Sequence, residues 1–319
     1  MRLARATSLL AALLVGCGAA QGLRVDGSST VYPVSLAMAE EFAIENPRVR
    51  LSVAFSGTGG GIGKLCAGEV DVANASRAIR PEELEACAAN GIEVIELPIA
   101  ADAVTVVVNA ANDLVRCLTV EELRAIWEPG SRVDRWSDVR PGLPAEELVL
   151  FGPGTDSGTF EYFTEAVMGE AGATRTDFFP SEDDNVLVQG VRGERFALGY
   201  LGFAYYAENS SLVRALEVDG GQGCVAPNRE AIESNAYAPL SRPLFIYVSA
   251  RSAARPDVEA FVRFYLDPSH REYIVGTGYA AYPDDVYEAA LERFEARVTG
   301  SAFLGFRPGD SVLDAVRGR

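Results

Sequence analysis

The chain has 319 residues, 45 of them acidic and 28 basic, for a formal charge of −17 at pH 7. That balance excludes nucleic acid and an anionic membrane surface as partners, since both are held through excess positive charge. A single histidine, His270, leaves little for a metal site, and the length suits about two domains.

In chain order, residues 1–16 open with Arg2 and Arg5 and continue as an apolar run through Leu9, Leu10, Leu13 and Leu14. The run is shorter than the roughly 20 residues that cross a bilayer. A basic start followed by a short apolar core reads as a secretory signal. It ends in Leu14-Val15-Gly16-Cys17, which resembles a bacterial lipobox, so Cys17 is expected to carry lipid and tether the chain without spanning the membrane. Lipid on Cys17 would leave Cys66, Cys87, Cys117 and Cys224 as an even set for an oxidising compartment. Three connectivities are open to them. The sequence favours Cys66–Cys87 with Cys117–Cys224, because the first pair is near in sequence and falls in one predicted lobe. No two of the four have CxxC spacing, so no metal is expected.

Strands and helices alternate along the rest. Val49, Leu51, Val53 and Phe55 alternate as a strand, and Val70 and Val72 begin another. Pro81–Asn90 reads as a helix, with Pro81 in its first turn and Gly91 past its end. The β-branched run Ala103–Asn109 suits a strand buried on both faces. Thr119 and Glu122 form a capping box for the helix carrying Leu123 and Ile126. Residues 128–147, rich in Pro, Gly and charge, read as a surface loop, and Val149–Phe151 as a strand. Asp184 and Asn185 open a short helix ahead of a strand at Ala197–Leu201. Pro243–Ser249 is a second buried strand, with helices at about 257–266 and 283–297. Beyond Gly300 the chain is expected to be a poorly ordered tail or a strap on the first lobe. The alternation predicts α/β lobes with largely parallel sheets. Chain crossings near 100–108 and 238–246 would place 23–102 and 243–319 in one lobe and 108–238 in the other.

Three segments share one chemistry: Asp26-Gly27-Ser28-Ser29-Thr30-Val31-Tyr32-Pro33, Ser56-Gly57-Thr58-Gly59-Gly60-Gly61-Ile62, and Gly152-Pro153-Gly154-Thr155-Asp156-Ser157-Gly158-Thr159-Phe160. Each is a turn of small hydroxyl residues between a strand and a helix start. A helix start offers unpaired N–H groups and about half a positive charge. Hydroxyls add rotatable donors, and glycine lets the backbone approach an anion closely. Any one turn could be an ordinary cap; three together point to a site for a tetrahedral oxyanion. A fourth segment, Asp71-Val72-Ala73-Asn74-Ala75-Ser76-Arg77, ends in a hydroxyl and a guanidinium, the side chain best matched to phosphate. Arg77 could instead form a salt bridge with Asp156, which would then orient it from behind. The third segment lacks the Lys-Ser/Thr of a P-loop. Ser157 lies in no GxSxG elbow, and His270, read as a solvated surface residue, is not placed to serve it as a base.

Taken together, DGSSTVYP (26–33), SGTGGGI (56–62), DVANASR (71–77), FGPGTDSGTFEYF (151–163) and SEDDNVLVQGV (181–191) resemble the phosphate-binding proteins of bacterial phosphate-specific ABC transporters. ALGYLGFAYY (197–206) and PLSRPLFIYV (239–248) continue the likeness over nearly the whole mature chain. The resemblance implies a two-lobed, type II periplasmic-binding-protein fold that closes on a dehydrated phosphate, with no cofactor and no catalysis. It implies Ser29, Thr30 and the Val31 N–H as ligands from the first turn, Thr58 from the second, and Ser157, the Gly158 N–H and Thr159 from the third; the residues themselves add Ser76 and Arg77 from the fourth segment. It further implies a monomer delivering its cargo to permease subunits, in the periplasm or on the outer face of the cytoplasmic membrane. Two positions depart from the family pattern. Ser76 stands where members place an aspartate acceptor, and Pro153 where they place an arginine; Arg77 and Asp156 are the expected replacements. Sulfate, molybdate or tungstate, and more remotely the phosphate esters of a secreted phosphatase, are the alternatives.

Overall fold

The computed structural model describes residues 22–155, 157–181, 183–307 and 310–318. The predicted signal segment, Cys17 and Asp156 lie outside the described residues.

Strands β1 (Leu23–Gly27), β2 (Leu51–Val53) and β3 (Val72–Ala75) pair in parallel with β1 in the middle. Helix α1 (Tyr32–Glu45) joins β1 to β2, and α2 (Thr58–Cys66) joins β2 to β3. Val34, Met38 and Phe42 recur on one side of α1 and are buried, the spacing that turns one helix face to a sheet. After α3 (Pro81–Ala89) comes β4 (Val94–Asn109), 16 residues long and buried at every position but the last. The β-branched run Ala103–Asn109 is only its second part. Pro98, Glu96 and Asp102 break the apolar pattern before it, which is why the sequence reading stops short.

The second half of the molecule contains β5 (Cys117–Thr119), α4 (Val120–Trp127), α5 (Trp136–Val139), β6 (Val149–Pro153), α6 (Gly158–Met168) and β7 (Phe179–Ser181). Helix α7 (Asp184–Gly193) and strands β8 (Ala197–Gly202), β9 (Val213–Ala215), β10 (Glu217–Asp219) and β11 (Cys224–Val225) follow, and β12 (Ser241–Ser249) returns to the first half. The main sheet runs β2-β1-β3-β12-β4-β8-β6-β7, with β9 also on β4. Val94–Ala103 of β4 pair antiparallel with β12, while Val104–Val108 pair antiparallel with β8. One strand therefore serves both halves. The predicted parallel pairing holds in the outer groups, β2-β1-β3 and β8-β6-β7, and gives way at the centre. There the two long strands that change sides run against their neighbours.

Two disulfides tie local elements. Cys66–Cys87 joins α2 to α3, and Cys117–Cys224 joins the outer strands of the three-stranded sheet β11-β10-β5. Segment 128–147 carries a fixed element: Trp136 is fully buried and donates its indole N–H to the Phe196 carbonyl at 2.9 Å. Of the two expectations for the C-terminal segment, the strap is correct. Gly300 N donates to the Val94 carbonyl, and Glu96 accepts from Ser301 Oγ and the N–H groups of Ala302 and Phe303.

Candidate functional site

Strands β1, β2 and β3 end side by side, and the turns that follow them meet at the carboxyl edge of the sheet, where open α/β sheets hold ligands. In the first turn Ser28 does the structural work: its N–H donates to the Asn74 carbonyl (2.9 Å) and its carbonyl accepts from Tyr32 N (3.0 Å). The N-cap residue of α1, Val31, makes no side-chain cap bond, so the Ser29 and Thr30 hydroxyls are not spent on capping. Among the described residues the N–H groups of Ser29, Thr30 and Val31 have no acceptor, as expected of a first helical turn. Tyr279 donates its hydroxyl to the Thr30 carbonyl at 2.8 Å and fixes the turn from outside.

The second turn begins at Gly57, with φ of 79°, the left-handed region that favours glycine. Helix α2 then sits directly on the end of β1, where a Cβ on Gly61 would lie 2.3 Å from Gly27 Cα. Thr58 Oγ1 accepts from Ser76 N and lies 3.1 Å from Ser76 Oγ, so the second turn and the segment after β3 present one pair of hydroxyls. Behind them Ser56 and Lys64 donate to Asp26. Burial would raise the Asp26 carboxyl, but the Lys64 and Ser56 bonds outweigh it and hold the group below its ordinary range.

From the other half comes α6. Ser157 is its N-cap, and Ser157 Oγ accepts from Thr159 N at 3.2 Å, an ordinary cap. Gly158 faces the first turn closely enough that a Cβ there would lie 3.4 Å from Thr30 Oγ1. A cleft of about 170 Å³ is lined by Ser28–Thr30, Gly57–Gly59, Ser76, Arg77 and Arg242, and across from them by Glu161, Tyr162 and Glu165 of α6. Of the predicted residues, Ser29, Thr30, Thr58, Ser76 and Arg77 come together on its wall. Val31 is buried at the turn, and Ser157, Gly158 and Thr159 lie at the adjoining start of α6, joined to the others through Gly158.

Arg77 lines the cleft, but its fork is occupied. Both terminal nitrogens bond Glu83, at 2.9 and 2.8 Å, and one also reaches the Ala78 carbonyl. The Glu83 hydrogen bond raises Arg77 further above its ordinary pKa. For Glu83, burial would raise the carboxyl, yet the bonds from Arg77 and the Arg80 N–H hold it below its ordinary range.

A guanidinium that the sequence reading passed over is Arg242, on β12. Its Nε and Nη2 lie 3.3 and 3.2 Å from Asp102 Oδ2, and Nη2 lies 3.5 Å from Thr30 Oγ1. The guanidinium carbon stands 3.7 Å from the centre of the Tyr162 ring, and Nη1 is 3.9 Å from Glu165. Burial raises the Asp102 carboxyl, with Arg242 opposing. Burial likewise pushes the Tyr162 hydroxyl well above its ordinary value; it donates to the Pro239 carbonyl at 2.7 Å. The available signal was an arginine flanked by Ser241 and Pro243 at the head of an apolar strand. His270 does not line this cleft; it is half-buried rather than solvated, its ring centre 3.9 Å from that of Phe264.

Unpaired helix-start donors and hydroxyls at the strand ends of one half, met across a small polar cleft by a helix start of the other, define a solute-binding protein of the periplasmic type. Among the described residues no helix is long and apolar enough to cross a membrane. Residues 16–269 match the PBP superfamily domain. Protein SphX of Synechocystis sp. is 44% identical over 326 residues, covering 99% of this chain and 96% of its own. The phosphate-binding protein PstS of Staphylococcus saprophyticus is 34% identical, covering 88% and 90%. The crystal structure of a possible phosphate binding protein from Planctomyces limnophilus aligns with a TM-score of 0.82 at 45% identity, covering 87% of this chain and 99% of that one. An ABC-type phosphate transport receptor from Vibrio cholerae shares the fold, with a TM-score of 0.65 at 23% identity over 81% and 99%. The chain belongs to the PBP superfamily, and within it to the family of SphX and the PstS phosphate-binding proteins. Its fold is the type II periplasmic-binding-protein fold, whose two halves are joined here by β4 and β12.

Proposed function

We propose that this chain captures inorganic phosphate outside the cytoplasm and hands it to the permease subunits of an ABC transporter, without chemistry on the ligand. The observation that carries the reading is the meeting of Ser29, Thr30, Thr58 and Ser76 with Arg242 and the start of α6 on one small cleft. In the bound state the free N–H groups of Ser29, Thr30 and Val31, with the four hydroxyls, hold the anion from one lobe (23–102 and 243–319). Ser157, Thr159 and the Gly158 N–H hold it from the other (108–238). The Ser157 hydroxyl is still able to donate while accepting the cap bond, since a hydroxyl does both. Arg242, rather than Arg77, supplies the guanidinium, because Glu83 takes both terminal nitrogens of Arg77, whereas Asp102 takes Nε and Nη2 of Arg242 and leaves Nη1 with only Glu165 at 3.9 Å. Cys17 tethers the exported monomer by lipid.

Glu161 and Glu165 on the cleft wall favour phosphate over sulfate, molybdate and tungstate. A carboxylate accepts a hydrogen bond from HPO₄²⁻, whereas a fully deprotonated oxyanion meets it as a like charge. Each hydrogen bond to a charged group contributes about 1.5–3 kcal/mol. Thr30→Ala and Ser157→Ala are therefore each expected to weaken phosphate binding about tenfold or more by calorimetry. Parent-like affinity in both variants would remove this site assignment. Competition with sulfate at two pH values tests the ion, since phosphate alone changes protonation near neutrality.

A further inference from the structure

A chain of buried hydrogen bonds runs from the C-terminal strap to the segment that carries Ser76 and Arg77. Tyr247 of β12 and Glu96 of β4 are directly paired across the β4–β12 ladder, so their side chains share one face of the sheet. Both are fully buried, and neither lines the 170 Å³ cleft. Tyr247 donates its hydroxyl to Glu96 Oε1 at 2.6 Å, and the same hydroxyl oxygen accepts the Ile79 N–H at 2.7 Å. The Glu96 carboxylate also accepts from Ser301 Oγ at 2.7 and 2.9 Å, from the Ala302 N–H at 2.7 Å and from the Phe303 N–H at 3.2 Å. Ile79 closes the stretch that starts at Ser76. At the front of that stretch Ser76 N donates to Thr58 Oγ1, and the two hydroxyls stand 3.1 Å apart on the cleft wall.

Holding the strap requires only an acceptor, and Glu96 meets the strap donors without help. The Tyr247 hydroxyl adds nothing there; what it joins to Glu96 is Ile79. A charged acceptor strengthens that link. The carboxylate draws on the Tyr247 proton and leaves the phenol oxygen a better acceptor for the Ile79 N–H, because bonds in a chain polarise one another. Residues 76–79 are thus pinned at three points: by Thr58 at one end, by Glu83 through Arg77, and by Tyr247 at the other end. The precision matters, since a hydroxyl that drifts by about 1 Å is out of hydrogen-bond range. Resting on the phosphate reading above, we infer that Tyr247 and Glu96 are positioning residues for the anion, setting the Ser76 hydroxyl from behind through the Ile79 N–H.

Tyr247→Phe keeps the ring and removes the hydroxyl. Calorimetry of the full chain is expected to show phosphate affinity falling about five- to tenfold, the worth of one neutral hydrogen bond. In a Ser76→Ala background, where the positioned hydroxyl is already gone, the same change is expected to cost about twofold or less, so that the two losses do not add. Tyr287→Phe is the comparison, because its buried hydroxyl donates to the Ile99 carbonyl at 2.9 Å rather than serving residues 76–79. It is expected to lower the melting temperature to a similar extent while leaving phosphate affinity within about twofold. Should Tyr247→Phe not fold, Ser301→Ala, which strips Glu96 of a donor at the strap end, takes its place; the expected loss is about threefold, again absent with Ser76→Ala. Additive losses, or a Tyr287→Phe loss as large as that of Tyr247→Phe, would leave Tyr247 a purely structural role and overturn the inference with the phosphate reading intact. A parent that does not bind phosphate would overturn both.

Discussion

Arg242 divides its fork between Asp102 and Thr30 and lays its flat face on Tyr162. Lysine could keep the charge but neither the fork nor the stack. Arg242→Lys is thus expected to weaken phosphate binding about tenfold, and Arg242→Gln further, because the ligand charge then loses its cation. Arg77→Gln should cost less affinity than either and more thermal stability, since it releases Glu83 instead of the ligand. An affinity loss larger at Arg77 than at Arg242 would reverse the assignment. The contrast shows what the sequence can disclose about single side chains. That Ser29, Thr30 and Thr58 share one cleft wall was legible because hydroxyls crowd a helix start beyond what a cap needs. That Arg242 joins Arg77 on that wall was not, because it turns on which carboxylate each one meets. Glu83 is 6 positions from Arg77, whereas Asp102 is 140 positions from Arg242 and reaches it only across the β4–β12 ladder.

Elements were read best where one local rule governs them. The Thr119–Glu122 capping box is present as expected, with both reciprocal bonds, and Pro81 opens α3. What local rules left out was β4 ahead of Ala103, where Glu96 and Asp102 sit buried in a strand. Each is tolerated only through distant partners: Tyr247 and the strap for Glu96, Arg242 for Asp102. Segment 128–147 is largely the surface loop expected, but it carries α5 and the buried Trp136, which its composition does not announce. Arg175, buried itself, donates to the Ile126 and Val133 carbonyls and to Asp134, and so pins the start of that loop. The Arg77–Glu83 pair, which clamps α3 to the segment after β3, has a pH signature. Glu83 is held below its ordinary range in the folded chain, so the unfolded chain takes up its proton first on acidification. The pair's contribution is full above the ordinary glutamate range and is lost as pH falls through the depressed folded value. Melting temperatures of the parent and Glu83→Gln should therefore differ at about pH 7 and converge as pH falls through the depressed folded value; a constant gap would mean that the pair does not titrate with folding.

For the whole molecule, a charge of −17 sits awkwardly with an anionic ligand, and closure resolves it. The global field acts through solvent and salt, which screen it over about 8–10 Å, while helix-start donors act at contact once the two halves exclude water. Binding energy must then depend on how nearly the halves meet. Gly158 is the point that measures this, because it is the residue of α6 that rests on Thr30. A Cβ there would lie 3.4 Å from Thr30 Oγ1 and 3.8 Å from Thr30 Cα, which is ordinary contact. Gly158→Ala should accordingly close and bind phosphate within a few-fold of the parent. Thr30 is what a Cβ at position 158 meets, so the bulkier branched side chain of Gly158→Val should press on it and hold the cleft ajar, and donors on both sides then lose the anion together. Phosphate affinity is expected to fall well over tenfold, since several charged hydrogen bonds of about 1.5–3 kcal/mol go at once. Small-angle scattering supplies the decisive readout: saturating phosphate should shrink the radius of gyration of the parent and the alanine variant, but not of the valine variant, as expected when ligand selects a closed state. A valine variant that binds and contracts like the parent would show that the Gly158–Thr30 contact does not govern closure.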